Sequence, residues 1–259
     1  MNRRDFGIAL GSLPFLASVV QAVSAAEPAE TLKPKIGRLV YPGMILQDLV
    51  GPQTVFSILQ ADVRLVWKDK SPVVTDVGIS LLANDTFDTC PADLDVLFVP
   101  GGLGGSIACM KDAEVIGFLA SRGARARYVT SVCTGSLVLA AAGLLKGYQA
   151  RSHWYVRELL PLMGATLKTE RVVEDRNRLT AGGVTSGIDF GLTLAARLSS
   201  DDTAKRIQLL IEYDPKPPFA AGSPQSAGPA LTEQILQRGA LLIASARKEA
   251  EMARERLGI

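Results

Sequence analysis

Cys133 stands where a predicted strand meets a predicted helix. The run 128–132 is rich in β-branched residues, and the run 135–142 has small and apolar residues at helical spacing. A strand, a sharp turn, a nucleophile and a helix together form a nucleophile elbow. Free N–H groups at the helix N-terminus lower the pKa of a thiol placed there and hold developing negative charge. Cys133 is therefore predicted to be a catalytic nucleophile, although a buried structural cysteine fits the same local pattern.

A glycine-rich turn follows another predicted strand, Val96–Val99. The segment Pro100–Gly105 contains four glycines, which let a backbone approach a ligand closely. Gly101, Gly102 and Leu103 are predicted to supply half of an oxyanion hole or a substrate-binding edge. The spacing fits neither a GxxxxGKS phosphate loop nor a dinucleotide fingerprint, so the remaining alternative is a flexible loop.

Asp48 follows the first predicted strand, Ile36–Tyr41. It is a candidate acid–base group, and it also suits a helix N-cap, for which Asp is among the best residues. The carboxyl ends of parallel strands meet at one crevice of a doubly wound sheet. Asp48, Gly101 and Cys133 all lie at such ends, so we expect them to converge despite their separation in sequence.

His153 is the only histidine in the chain, which excludes a metal site with several histidines. It follows the helix after the elbow by a short turn, so a Cys–His pair is one interpretation. A histidine packed beside Trp154 is the other, because Asp48 could carry the proton instead. Cys90 and Cys109 lack the elbow context and are interpreted as structural.

Strand-like and helix-like runs alternate along the chain, which predicts an α/β fold with a doubly wound, mostly parallel sheet covered by helices on both faces. A short polar turn between 172–175 and 178–181 predicts a hairpin. The long Pro/Gly segment 214–226 is expected to be a loop over the site or over a dimer seam. The other predicted strands are 63–67 and the edge piece 79–82, and the predicted helices are 49–59, 113–119, 187–198, 203–211 and 231–257.

The composition is that of an ordinary globular protein. The 259 residues are 47% hydrophobic and 21% charged, with a formal net charge of +2. Without a basic block, neither nucleic acid nor an anionic membrane surface is an expected partner. Three cysteines do not suggest a disulfide framework, and no CxxC pair suggests zinc. We expect no metal and no cofactor.

The first 26 residues resemble an export signal. Arg3-Arg4 and Phe6 precede an apolar run that ends in small residues, a pattern typical of twin-arginine export. The run of about 14 residues, broken by Pro14, is too short for stable membrane insertion, which takes roughly 20. We therefore expect a signal at 1–26, a linker at 27–34, one α/β domain at 35–259, and a periplasmic or other extracytoplasmic location.

These segments together resemble the ThiJ/PfpI family of the class I glutamine-amidotransferase-like superfamily. Each motif is weak alone, but the set is specific and covers about residues 35 to 235. The segments that carry the resemblance are Asp48-Leu49-Val50-Gly51-Pro52, Val99-Pro100-Gly101-Gly102, Ser131-Val132-Cys133-Thr134-Gly135, Ala150-Arg151-Ser152-His153-Trp154 and Gly182-Gly183-Val184-Thr185-Ser186-Gly187.

Within that family, the match is closest to the branch that hydrates isonitriles to N-substituted formamides. The resemblance implies a metal-free homodimer with Cys133 as nucleophile, Asp48 as its acidic partner and Thr134 beside it. Arg151 departs from the family pattern, which has a small residue or threonine there. Related activities are alternatives: glyoxalase or amidase chemistry, or a noncatalytic redox or stress sensor. An AraC-type regulator is not expected, because such a regulator carries a C-terminal helix-turn-helix region of about a hundred further residues, whereas this sequence reaches Ile259 after one charged helix.

Overall fold

Strands and helices alternate along the chain, as the sequence predicts. The computed structural model describes residues 33–259, so the predicted signal at 1–26 and nearly all of the predicted linker lie outside the described residues. Residues Lys33–Ile259 form one compact unit.

A seven-stranded sheet runs through the centre of this unit. Its order is β10-β11-β7-β6-β1-β2-β5, and every neighbouring pair is parallel except β10 with β11. Its strands are β1 (Lys35–Leu39), β2 (Asp62–Trp67), β5 (Asp85–Thr86), β6 (Val96–Val99), β7 (Tyr128–Ser131), β10 (Val172–Asp175) and β11 (Arg178–Ala181). Two small two-stranded sheets are formed by β3 (Val73–Val74) with β4 (Ser80–Leu81) and by β8 (Gln149–Ala150) with β9 (Thr166–Leu167).

Helices cover both faces of the sheet, which confirms the predicted fold class. The helices are α1 (Leu46–Ile58), α2 (Leu103–Lys111), α3 (Ala113–Gly123), α4 (Gly135–Ala141), α5 (Ser186–Leu198), α6 (Asp201–Leu210), α7 (Pro224–Ala227) and α8 (Pro229–Arg256), and Arg157–Met163 is a 3-10 helix. Phe56 of α1 packs with Phe190 and Leu194 of α5 in one core cluster. Buried residues of α2, α3, α4 and α8 form another cluster, which Leu49 of α1 also joins.

The sequence of β6 explains its place in the middle of the sheet. All four residues are buried; Val96 and Phe98 join the cluster under α1 and α5, whereas Leu97 and Val99 join the cluster on the other face. A strand buried on both faces is apolar at every position rather than at alternate ones.

Chain order reverses between β1 and β6. From β1 the chain moves outward to β2 and β5, and it then returns to the other side of β1 through β6, β7 and β11. The crevice beyond the carboxyl ends of strands at such a switch point is where open α/β sheets bind ligands. Asp48 follows β1, Gly101 follows β6 and Cys133 follows β7, so the fold brings these residues to that crevice.

Two predicted elements differ in the structure. The glycine-rich segment was expected to be a turn through Gly105, but α2 already begins at Leu103. The long loop was expected to run from 214 to 226, but α7 begins inside it at Pro224, where Ser223 caps the helix and Pro at the first position fits the helical φ. Among residues 33–259, no helix combines the length and apolar character needed to cross a membrane.

Candidate active site

The turn after β7 holds Cys133 in a conformation that is rare for a residue with a side chain. Its φ is +58°, a left-handed value that costs roughly 1–2 kcal/mol outside glycine. Hydrogen bonds from both directions hold it there: the Cys133 N–H donates to the Gly182 carbonyl at 2.7 Å, and the Cys133 carbonyl accepts from Ser152 Oγ at 3.1 Å and Ser136 Oγ at 3.2 Å. This strand–turn–helix geometry is that of a nucleophile elbow.

Two glycines allow the elbow to fit against the β6 turn. A Cβ on Gly101 would lie 2.6 Å from Cys133 Cβ and 2.7 Å from Asp48 Oδ2, and a Cβ on Gly135 would lie 2.5 Å from the Pro100 carbonyl oxygen. Real Cβ atoms do not approach other heavy atoms so closely. Any larger residue at Gly101 would therefore separate Asp48 from Cys133.

Asp48 is not the N-cap of α1. Ile45 occupies the cap position, and Asp48 lies in the first turn, fully buried. Its Oδ2 accepts the Gly101 N–H at 2.7 Å, and its buried Oδ1 has no hydrogen-bond partner among residues 33–259. The N-terminus of α1 is served instead by Asp76, whose Oδ1 accepts the Leu46 N–H at 2.9 Å. Asp48 is thus free to face the Cys133 thiol rather than cap its own helix.

Burial changes the protonation of Asp48. It raises the pKa of the Asp48 carboxyl from 3.8 to about 7, while the Gly101 N–H and the Cys133 thiol act in the opposite direction. A pKa near neutrality suits a group that must both give and accept a proton.

The Cys133 thiol does not follow the sequence prediction of a lowered pKa. Burial, with Asp48 as the next cause, raises the pKa of the thiol well above its ordinary value, although the Thr134 N–H and hydroxyl oppose the shift. The prediction counted the helix N-terminus alone, and the loss of hydration at a side chain that is 1% exposed outweighs it. The resting site therefore holds a thiol beside a carboxyl group, not a preformed thiolate.

Thr134 is fixed by a chain of buried hydroxyl groups. Its Oγ1 accepts the Gly102 N–H at 2.9 Å and lies 2.8 Å from Ser106 Oγ, which lies 3.1 Å from Tyr41 Oη. Tyr41 in turn donates to the Pro100 carbonyl at 2.7 Å. These bonds tie the β6 turn, α2 and the elbow into one rigid unit.

The N–H groups of Gly101 and Gly102, which were predicted to form half of an oxyanion hole, are hydrogen-bonded within the protein. The Gly101 N–H already serves Asp48 and the Gly102 N–H already serves Thr134, because a buried oxygen accepts the nearest donor. These two N–H groups therefore position the Asp48 and Thr134 side chains. Leu103 begins α2, whose first-turn N–H groups have no intrahelical acceptors.

His153 contacts the elbow through its backbone. Its N–H donates to the Cys133 carbonyl at 3.3 Å, and its ring lies against Tyr155 with centroids 3.9 Å apart. Burial, and next the nearby Arg151, lower the pKa of the imidazole to about 4, and Nδ1 has no partner in the described chain. A neutral imidazole of such low basicity is a poor base near neutral pH, so the geometry favours Asp48 over His153 as the proton carrier.

An apolar pocket of about 220 Å³ lies beside the site. Its walls include Leu103, Tyr155, Ile235 and Leu242. Cys133 and Asp48 contribute to raising the pKa of the Tyr155 hydroxyl, after burial, so this ring lies within electrostatic reach of both. The pocket offers space for an apolar substituent near the thiol.

No group of three or more His, Cys, Asp or Glu side chains within residues 33–259 is arranged to hold a metal ion. The groups that the structure places at the elbow are a thiol, a carboxyl group of near-neutral pKa, a hydroxyl and backbone N–H groups. Such a set can add a sulfur nucleophile to an electrophilic carbon and move the proton that the addition requires.

A family model describing the DJ-1/PfpI family matches residues 35–197. The chain belongs to the DJ-1/PfpI family. The resemblance to ThiJ/PfpI proteins that the motifs predict is thereby confirmed, and the match covers Asp48, Gly101, Cys133, Thr134 and His153.

The chain is similar to three further proteins. It is 49% identical over 207 residues to a Pseudomonas putida protein named isonitrile hydratase, covering 80% of this chain and 90% of the relative. A crystal structure of a ThiJ/PfpI family protein from Pseudomonas syringae superposes with a TM-score of 0.82 at 45% identity, covering 92% and 97% of the two chains. The Pseudomonas aeruginosa transcriptional regulator GbdR is 29% identical, but the alignment spans 76% of this chain and only 48% of the regulator.

Three residues near the elbow were not predicted from the sequence. Tyr41, Ser106 and Tyr155 reach the elbow from the end of β1, from α2 and from the segment after His153. The only local signal is that Tyr41 ends a predicted strand and Tyr155 lies two residues after His153. Ser106 carries no signal, because the sequence did not predict the helix that presents it.

The raised pKa of Asp48 makes a prediction about stability. Because the pKa of Asp48 is higher in the folded than in the unfolded protein, the folded protein binds a proton more tightly at this group. Ionisation of Asp48 therefore lowers the free energy of unfolding. The contribution of Asp48 to the free energy of unfolding falls as the pH rises from about 4 to about 7 and is constant at higher pH. An increase from 3.8 to about 7 corresponds to at most about 4 kcal/mol.

Asp48→Asn removes this penalty. The free energy of unfolding of the variant, relative to wild type, should therefore increase by up to about 4 kcal/mol between pH 4 and pH 8. Urea denaturation at both pH values measures it, and Asn at the exposed Asp88 is the control, for which we expect the same difference at both pH values. An equal difference for Asp48→Asn would contradict a raised pKa.

Proposed function

We propose that this chain hydrates isonitriles, converting R–N≡C and water to the N-substituted formamide R–NH–CHO. The observation that carries the proposal is the 49% identity to the Pseudomonas putida isonitrile hydratase over 90% of that protein. The pairing of a buried thiol with a carboxyl group of pKa about 7 supports it, because the reaction needs a nucleophile and a group that moves protons.

In the first step, the Cys133 sulfur bonds to the terminal isonitrile carbon while ionised Asp48 accepts the thiol proton. Protonated Asp48 then delivers that proton to the same carbon, giving the thioimidate R–N=CH–S–Cys133. The thiol is activated only as the substrate arrives, so its high resting pKa is compatible with catalysis by an adjacent base.

In the second step, Asp48, ionised again, takes a proton from water as the water oxygen adds to the thioimidate carbon. Asp48 passes this first proton to the nitrogen and then takes the remaining proton of the added hydroxyl as the C=O bond forms and the C–S bond breaks. It delivers that second proton to the departing sulfur. The products are the formamide and the free thiol, and the net consumption is one water per isonitrile. Asp48 thus alternates between base and acid.

Thr134 is the third residue of the proposed mechanism. Its N–H and hydroxyl oppose the rise in the thiol pKa, so they stabilise negative charge on sulfur in both steps. The hydrogen bonds from Gly101 to Asp48 and from Gly102 to Thr134 hold the two groups in place. This preorganisation is where a buried site gains over water.

Variants separate the roles of the three groups. Cys133→Ala should abolish formamide formation from cyclohexyl isocyanide, and Asp48→Asn should lower kcat/KM about 10²–10⁴-fold, the range for a lost general acid–base. His153→Gln should lower it less than about ten-fold, because the imidazole is not the proton carrier.

In wild type, kcat/KM should rise with pH through about 7 and then level off, as Asp48 must be ionised to accept the thiol proton.

Cys90→Ala is the matched control, since Cys90 is also buried but lies outside the site. Formamide is measured by chromatography, and circular dichroism checks that each variant is folded. Full activity in Cys133→Ala would overturn the mechanism. If His153→Gln abolished the rise of kcat/KM with pH, the histidine rather than Asp48 would be the proton carrier.

The burial of Cys133 does not favour a redox sensor. Sensor cysteines are accessible and of low pKa, whereas this thiol is 1% exposed with a raised pKa. No feature of the site specifically favours glyoxalase or amidase chemistry.

We also propose that residues 1–26 direct twin-arginine export to an extracytoplasmic location. The support is the sequence itself, Arg3-Arg4 followed by an apolar run and small residues. A fusion of residues 1–34 to a fluorescent protein should reach the periplasm, and changing both arginines to lysine should retain it in the cytoplasm. Export of the double-lysine fusion would contradict the proposal.

A homodimer is the last part of the proposal. Exposed apolar side chains along α8, at Leu231, Ile235 and Leu242, recur at helical spacing and support a partner on that face. Sedimentation velocity on the mature protein should give twice the chain mass, and a purely monomeric species at micromolar concentration would argue against it.

A further inference from the structure

A second cleft, of about 530 Å³, opens beside the elbow next to the end of β11. Three arginines line it, Arg151, Arg157 and Arg171, and its walls contain no Asp or Glu from the described part of the chain. The cleft therefore has an excess of positive charge, which the hydration of a simple hydrocarbon isonitrile does not require.

Arg151 is the arginine whose charge is least balanced. It makes no ion pair with any residue of 33–259, its Nη1 donates to the Thr169 carbonyl, and its buried Nε has no partner. Gly182 makes room for it, since a Cβ there would lie 2.7 Å from Arg151 Nε.

The other two arginines are compensated to different degrees. Arg171 Nε pairs with Asp189 Oδ2 at 2.8 Å. Arg157 Nε lies 3.4 Å from Glu158 Oε1, but that glutamate is 69% exposed, so water screens the pair. Burial, followed by Arg157, lowers the pKa of Arg151, and Glu170 offsets this only in part. A bound anion would offset both the burial of the Arg151 charge and its repulsion by Arg157.

The start of α5 points to the same kind of ligand. Ser186, its first residue, lines the cleft, is 0% exposed, and has an Oγ without a partner among the described residues. The N-terminus of this 13-residue helix adds free N–H groups and a positive dipole end. A planar guanidinium binds a carboxylate through two parallel hydrogen bonds, so a carboxylate matches the donors available.

The cleft adjoins the nucleophile. Gly182 and His153 both line it, and both hold the Cys133 backbone: the Gly182 carbonyl accepts the Cys133 N–H at 2.7 Å, and the His153 N–H donates to the Cys133 carbonyl at 3.3 Å. A ligand whose anionic end occupies the cleft would extend toward the elbow.

We propose that this cleft binds a carboxylate of the substrate, so that the chain acts on isonitriles bearing a carboxylate, with Arg151 as the residue that determines this specificity. The inference rests on the proposed hydratase function and names its substrate class.

The test compares isocyanoacetate, 3-isocyanopropanoate and 4-isocyanobutanoate with their methyl esters, which remove the charge and keep the isonitrile. For at least one chain length, wild type should have a kcat/KM for the acid ten-fold or more above that for the ester, the range for a charge-assisted hydrogen bond. Arg151→Gln should lower this acid-to-ester ratio at least ten-fold. Arg151→Thr, which also removes the guanidinium, should do the same, and Arg151→Lys should retain part of the ratio.

Arg206→Gln is the matched control, because Arg206 is exposed on α6 away from the cleft, and its ratio should equal that of wild type. Esters hydrated as well as acids at every chain length, or a ratio unchanged in both Arg151→Gln and Arg151→Thr, would overturn the inference while leaving the hydratase function intact.

Turnover of no isonitrile at all would instead overturn the proposed function. Calorimetric titration with N-formylglycine, the product expected from isocyanoacetate, then tests the cleft alone. Binding that is lost in Arg151→Gln and absent for the methyl ester supports a carboxylate site. No binding to wild type, or equal binding to Arg151→Gln, overturns it.

Discussion

The hydrogen bond from the Gly101 N–H to the Asp48 carboxyl is the contact on which the site depends. It joins the ends of β1 and β6 across the point where chain order reverses. It also leaves the second carboxyl oxygen buried and unpartnered within the described chain, and burial then places the pKa near neutrality. An exposed carboxyl group, with a pKa near its ordinary 3.8, would be a weaker base toward the thiol.

The fold was predictable because its signals are local. A four-residue apolar strand such as β6, a polar hairpin turn and a nucleophile between strand and helix each stand out within a few residues of sequence. The start of α2 was not predictable, because Leu103-Gly104-Gly105 lacks helical propensity and is held by packing of Gly105 against the Pro42 carbonyl and the Tyr41 ring.

The convergence of Asp48, Gly101 and Cys133 followed from topology, whereas their protonation states did not. Helix-dipole reasoning gives the correct sign for an exposed thiol and the wrong sign here, because burial depends on residues far away in sequence. The cationic cleft was hidden for the same reason. Arg151, Arg157 and Arg171 belong to different segments of the chain. Arg171 immediately precedes β10, and the β10–β11 hairpin brings it beside Arg151 and Arg157.

The protonated thiol also bears on where the protein works. A free cysteine in an oxidising compartment is at risk in proportion to its thiolate fraction and its exposure. Cys133 is 1% exposed, and burial and Asp48 keep its pKa high, so peroxide meets a neutral, shielded sulfur. A substrate that enters the crevice meets the same thiol with its proton acceptor already in place. Under the proposed mechanism, the arrangement separates nucleophilicity toward substrate from reactivity toward oxidants, so the proposed cysteine nucleophile is compatible with the proposed extracytoplasmic location.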